Sequence, residues 1–133
     1  MRLSTQLNYA GDAKATVAQL RAMESAGLDM VWVAEAYSFD AVSTMGYLAA
    51  STETVQIASG ILPIYTRTPT LLGMTAASLD SLSNGRFVLG LGASGPQVIE
   101  GFHGVLYDKP LGRTREIIDI CRQVWKRERL AAG

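Results

Sequence analysis

The chain has 133 residues, 48% of them hydrophobic, with 12 basic and 12 acidic side chains that cancel to a formal net charge of zero. That length suits one domain with a core of its own rather than two independently folded units. Balanced charge gives no footing for nucleic acid or an anionic membrane surface as partner, and the single cysteine, Cys121, can neither close an internal disulfide nor hold zinc without neighbouring Cys or His.

In chain order, Leu3 to Tyr9 is a short half-apolar run, and Asp12 then stands at an N-cap position ahead of AKATVAQLRAMESAG. Val17, Leu20, Met23 and Ala26 fall on one stripe of that helix, and Gly27 occupies the left-handed position that ends it. MVWVAEA, residues 30 to 36, is apolar without strict alternation, as in a strand covered on both faces, and Glu35 lies at its C-terminal end. Asp40 caps a second helix reaching about Thr52, with Val42, Met45, Leu48 and Ala49 inward, and a third strand starts at Val55 in VQIASGIL. Pro69 suits the first turn of a third helix, whose stripe of Leu72, Thr75, Ala76, Leu79 and Leu82 stops at Asn84-Gly85. RFVLGLG is a fourth buried strand; after an irregular stretch, Arg113 to Glu128 forms a last helix with Ile117, Ile120, Cys121 and Val124 inward.

Four β-then-α units at roughly thirty-residue spacing imply right-handed crossovers and a parallel sheet. The fold class is α/β, and two architectures fit the alternation: an open doubly wound sheet, or half of a (β/α)₈ barrel. The N-terminal MRLSTQLNYAGDAK lacks the apolar region of a signal peptide, and no apolar run approaches the ~18 residues of a membrane span. A reducing, cytoplasmic setting is the expectation.

FVLGLGASG, residues 87 to 95, contains the spacing G-x-G-x-x-G of a dinucleotide-binding loop. That fingerprint belongs after a first strand and needs an acidic residue about 20 positions on, at the end of a second strand. Here it follows the fourth strand, and the nearest aspartate beyond it, Asp108, sits in a polar turn. Two other readings stay open: glycines that permit tight packing and a sharp turn, or a loop at the mouth of a barrel strand where backbone approaches a bound ring or phosphate.

Barrel chemistry gathers at the C-terminal strand ends, which here are Asn8-Tyr9, Glu35-Ala36-Tyr37, Ser59-Gly60-Ile61-Leu62 and Gly92-Ala93-Ser94-Gly95. Glu35 is the one carboxylate that directly follows a buried apolar run, which suits an acid/base, a hydrogen-bond acceptor for a bound ring, or a solvated rim carboxylate. Arg67, in SGILPIYTRTP, suits an anion site or an ion pair, and His103, the only histidine, reads as structural before catalytic.

Three blocks carry more information than periodicity: GLDMVWVAEAY, then SGILPIYTRTPTLLGMTAASLDSLSNGRFVLGLGASGPQVIEGFHG, then YDKPLGRTREIIDICRQVW. Together they resemble the N-terminal half of the bacterial luciferase-like enzymes, in particular their F420-dependent oxidoreductase branch. The resemblance implies the first four units of a (β/α)₈ barrel that binds the deazaflavin F420 at its C-terminal mouth and moves a hydride between cofactor and a small organic substrate. It implies a non-prolyl cis peptide at Gly60-Ile61, beside Ser59, backing the ring. Glu35 matches an acidic position near the ring, with the catalytic role that follows, while Gly92, Ala93, Ser94, Gly95, Pro96 and Gln97 match the loop beside the cofactor. Some relatives carry histidine after the acid, where this chain has Ala36. FMN with monooxygenase chemistry is the alternative within the superfamily, and a non-catalytic half-barrel that associates through its edges is the alternative outside it. Four strands of eight leave sheet edges and an inner face open, so the expected partners are a complementing C-terminal half or further copies of the chain.

Overall fold

A computed structural model describes residues 1–8 and 11–130. The elements run β1 (Ser4–Gln6), α1 (Ala13–Ser25), β2 (Met30–Val33), α2 (Ala41–Ser51), β3 (Gln56–Ser59), β4 (Leu62–Pro63), α3 (Pro69–Leu82), β5 (Phe87–Val88), β6 (Leu91–Gly92), α4 (Pro96–Ile99) and α5 (Pro110–Trp125). Four parallel strands lie in the order β1-β2-β3-β5, each reached from the last through a helix, and β4 and β6 pair in parallel as a two-stranded ladder. Consecutive strands as neighbours in one direction around the sheet are the barrel's order; a doubly wound sheet reverses direction at a switch point.

The register separates two faces. Thr5, Val31, Ile57 and Phe87 form one row across the sheet, and Gln6, Trp32, Ala58 and Val88 form the next, which points the other way. The first row turns toward the helices: Val31, Val33 and Ile57 are buried with Val17 and Leu20 of α1, Met45 and Leu48 of α2, and Leu72 and Leu79 of α3. The second row faces the interior that a closed barrel would fill.

The caps agree with the residues that suggested them. Asp12 accepts the Lys14 amide at 2.9 Å, Asp40 accepts the Ser43 amide at 2.7 Å, and Pro69 is the first residue of α3, whose N-cap, Thr68, was not among the expected caps. Asn84 and Gly85 end that helix with φ of 54° and 80°. Several expected boundaries shift. The expected first strand, Leu3 to Tyr9, is regular only over Ser4–Gln6, and Tyr9 lies outside the described residues. The second strand stops at Val33, so Glu35 is in the loop, and the last helix begins three residues earlier than expected, at Pro110. Three stripe residues are exposed: Met23 at 36%, Leu82 at 63%, and Ala26, which is the C-cap of α1. Each sits in or just past the last turn of its helix. The third and fourth strands are each interrupted, between Ser59 and Leu62 and between Val88 and Leu91.

Two polar side chains seal the end of the sheet opposite the strand C-termini. The Arg86 guanidinium donates to the carbonyls of Ala49 at 3.0 Å, Thr52 at 3.0 Å and Val55 at 2.8 Å, taking up orphan carbonyls where α2 ends. Glu24, near the end of α1, accepts the amides of Glu53, Thr54 and Val55 through one oxygen, closing the turn into β3. Burial works to raise the Glu24 pKa, but these three hydrogen bonds and a fourth from the Thr54 hydroxyl outweigh it and hold the carboxyl below its ordinary value of 4.5. A carboxyl that titrates lower when folded adds stability above its unfolded pKa and loses it as pH falls through the folded one. Glu24→Gln should therefore lower the urea midpoint at pH 7, by the equivalent of about 1–2 kcal/mol. As pH falls through the folded pKa and the parent carboxyl protonates, parent and variant midpoints should converge; a gap independent of pH would mean that charge on Glu24 is irrelevant.

Gly46 lies inside α2, and a Cβ built there meets no atom within 4 Å. Gly46→Ala should raise stability by roughly 0.5–1 kcal/mol, because alanine loses less backbone entropy in a helix and nothing obstructs its methyl. Thermal unfolding of the two proteins checks this.

Candidate functional site at the strand ends

The site begins where the strands break. The Gly60-Ile61 peptide is cis, and the chain resumes as β4 beside β6 with Leu62 opposite Leu91. Ser59 bridges the gap: its hydroxyl donates to the Gly90 carbonyl at 2.9 Å and accepts the Gly90 amide at 2.8 Å. The backbones approach so closely that a Cβ on Gly90 would lie 2.0 Å from the Ser59 carbonyl oxygen, and one on Gly92 would lie 3.2 Å from Ile61 Cγ1. The first two glycines of the motif thus serve strand-to-strand approach rather than a phosphate cradle.

Beyond β6, Ala93 packs half-buried against the core and Ser94 takes a positive φ of 58°. Gly95 is the extended N-cap of the single-turn α4, Pro96 is its first residue, and Gln97 is exposed beside it. Gly60 is exposed and Ile61 half-buried on the same rim, with Trp32 3.3 Å from where a Gly60 Cβ would be. The residues expected around a cofactor on β3, β4 and β6 therefore meet at one ledge, built from backbone and small side chains.

Glu35 lies across the rim, and its partner is Arg67. The guanidinium donates to both Glu35 oxygens, at 2.7 and 2.9 Å, and to Asp40 Oδ1 at 2.8 Å. Side-chain exposure is only 12% for Arg67 and 10% for Glu35, so this is a largely buried bidentate pair. Glu35 Oε2 also accepts the Ala41 amide at 2.9 Å, so the carboxylate caps the first turn of α2 together with Asp40. An ion-paired helix anchor is none of the three roles its position suggested: at 10% exposure it is not a solvated rim carboxylate, and the partners it holds here are Arg67 and the Ala41 amide. The Arg67 pKa is driven further up, first by its hydrogen bond to Glu35. Burial would raise the Asp40 carboxyl, but the Ser43 hydroxyl and amide, followed by Arg67, bring it below 3.8. One arginine of the β4–α3 loop thereby pins both ends of the loop from Glu35 to Asp40.

That loop presents Tyr37, whose ring meets Phe102 edge-on at 5.6 Å between centroids; Phe102 meets His103 in the same manner at 5.0 Å. The segment carrying Phe102 is itself tied down, since Tyr107 stacks on Tyr65 at 5.2 Å and the Tyr65 hydroxyl donates to the Asp108 carbonyl at 2.6 Å. Sequence reasoning missed Phe102 because the stretch from Val98 to Lys109 has neither helical nor strand period, and only a tertiary contact gives it meaning. Cys121 is buried in α5 against α3, where burial pushes its thiol pKa up.

Four parallel β/α units, with helices on one sheet face and a glycine-built ledge at the strand C-termini, define one half of a (β/α)₈ barrel with its ligand edge. The model of the luciferase-like monooxygenase family matches residues 1–133, and the chain belongs to that family. Over 130 residues it is 48% identical to a Mycobacterium tuberculosis protein named "Putative coenzyme F420-dependent oxidoreductase", covering 96% of this chain and 38% of that protein. The coenzyme F420 dependent tetrahydromethanopterin reductase of Methanopyrus kandleri superposes with a TM-score of 0.80 at 19% identity, over 92% of this chain and 39% of that one. The oxygenating constituent of 3,6-diketocamphane monooxygenase from Pseudomonas putida, in complex with FMN, superposes with a TM-score of 0.83 at 21% identity, over 100% of this chain and 42% of that one. The two structures establish the fold, and this chain spans about two fifths of each of the three proteins. Among the described residues no helix is long and apolar enough to cross a membrane.

Proposed function

We propose that the chain forms the N-terminal half of an F420-dependent oxidoreductase site that moves a hydride between the deazaflavin and a small organic substrate. The observation that carries this reading is the 48% identity, along nearly the whole chain, to a protein whose name specifies F420. The ledge suits a flat ring: glycine stands at 60, 90 and 92, and the rim at Gly60 is open. When bound, F420 supplies the two-electron chemistry, so the protein's part is orientation and electrostatics. Ile61 and the backbone about Gly60 would back the ring, with Ser59 holding their position through Gly90. The segment from Gly92 to Gln97 would flank it. Glu35, fixed by Arg67, would set the edge of the site.

Titration with purified F420 and, separately, with FMN tests the cofactor, followed by fluorescence with molecular mass measured in parallel. Saturable F420 binding is expected; if it is absent even after a complementing C-terminal half is added, the cofactor assignment is wrong. The FMN reading draws on the FMN complex among the structural neighbours. It would be favoured by FMN binding with NAD(P)H-driven oxygen uptake, because reduced FMN reacts readily with oxygen and reduced deazaflavin poorly.

The inner row of Gln6, Trp32, Ala58 and Val88 and the outer edges of β1 and β5 carry no partner strand among the described residues. We infer that the remaining β/α units of the barrel cover them, supplied by a complementing C-terminal half. Size-exclusion chromatography with light scattering should find this chain associated with that half when both are present, and self-associated when alone. A monodisperse monomer indifferent to the second half would contradict this.

A further inference from the structure

We propose that Tyr37, Phe102 and His103 form the substrate-side wall of the site, and that this wall takes a neutral, planar ring rather than a group bearing phosphate or carboxylate. The inference rests on placing the ligand site at the strand ends and names the substrate class for it. The wall borders a cleft of ≈ 430 Å³ whose lining includes Glu35, Asp40, Arg67 and Leu71.

Two observations carry it. Large aromatic rings are concentrated here in the open: Tyr37 is 61% exposed, Phe39 62% and Phe102 56%, all within two loops at one rim. Folding gains little from rings left in water, and a cluster of them marks a surface that something else covers. The edge-on packing of Tyr37 on Phe102 and of Phe102 on His103 is an array that a further ring can extend. The second observation is charge. Among the described residues lining the cleft the one Lys or Arg is Arg67, and its fork is spent on Glu35, Asp40 and the Thr66 hydroxyl. One guanidinium, already ion-paired, against two carboxylates disfavours an anionic group, which would be desolvated beside like charge.

The probe pair 2-naphthol and 2-naphthyl phosphate shares one ring system and differs in charge. Binding to this chain is followed by naphthyl fluorescence and by amide chemical-shift mapping. The expected result is saturable 2-naphthol binding with shifts concentrated at Tyr37, Phe102 and His103, and an affinity at least about tenfold weaker for the phosphate. Phe102→Ala should weaken 2-naphthol by about five- to tenfold, the value of one aromatic pair. Tyr37→Leu should act in the same direction, and Leu82→Ala, which removes an equally exposed apolar side chain from α3, should leave binding unchanged. Both test residues are exposed, so the variants keep the core intact. Phosphate binding as tight as 2-naphthol, or 2-naphthol affinity untouched by Phe102→Ala, would overturn the proposal. The cofactor reading fails separately: F420 that does not bind while 2-naphthol does would remove the deazaflavin and leave the wall standing.

Discussion

Arg67→Ala is expected to cost about 3–5 kcal/mol of folding stability, the range for removing one partner of a buried ion pair. The size follows from what is left behind. Glu35 is 10% exposed and would keep only the Ala41 amide as donor, so its charge would stay in a poorly hydrated place without its counter-ion. Asp40 is half-exposed and turns to water at little cost, so the loss falls mainly on the Glu35 side. Arg67→Lys is expected to recover part of the loss, because an ammonium restores charge but cannot bond both Glu35 oxygens and Asp40 from one planar fork. Glu35→Gln combined with Arg67→Ala should cost less than the sum of the two single changes, since no unpaired charge remains. Urea unfolding of the four variants measures all of this. An Arg67→Ala penalty below about 1 kcal/mol would place the pair with surface salt bridges and remove its claim to shape the site.

Arg67 also illustrates what the sequence could and could not disclose. The alternation of strands and helices, the Asp12, Asp40 and Pro69 starts and the Asn84-Gly85 stop were legible because each rests on local backbone chemistry within a few residues. The pairing of Arg67 with Glu35 spans 32 residues and follows only once β2 and β3 are neighbours, so the sequence supplied Glu35 after a strand and Arg67 ahead of a helix but not their bond. Arg86 makes the contrast sharper. It is as thoroughly hydrogen-bonded as Arg67, yet it lies at the N-terminal end of β5, where barrels keep residues for stability; nothing in NGRFV distinguishes it from a solvated arginine. The strand interruptions were hidden for a related reason. VQIASGILP and RFVLGLG each read as one apolar run, and periodicity cannot report that two such runs part and rejoin at a shared serine-glycine contact.

That contact predicts the second large effect. Gly90→Ala is expected to be the most disruptive single methyl that can be added to the sheet, because the new Cβ would stand 2.0 Å from the Ser59 carbonyl oxygen. A flexible side-chain tip can swing away from such an approach; a strand carbonyl cannot, so β5 must separate from β3 or the break must re-form. A cost of about 3 kcal/mol or more, at or beyond the upper end of overpacking penalties, is a large share of the roughly 5–15 kcal/mol that holds a domain together. The obstacle is backbone, which gives the prediction a control. Ser59→Ala removes the hydroxyl that joins Gly90 and should itself cost about 1–3 kcal/mol by leaving polar groups unpaired, but it leaves the carbonyl where it was. Ser59→Ala combined with Gly90→Ala should therefore give no rescue. If the double variant were more stable than Gly90→Ala alone, the clash would lie with the serine side chain and not with the strand. The same displacement would carry Gly92 away from Ile61, so whatever fraction of Gly90→Ala remains folded is expected to lose the proposed F420 binding, whereas Gly46→Ala, made inside α2, should keep it.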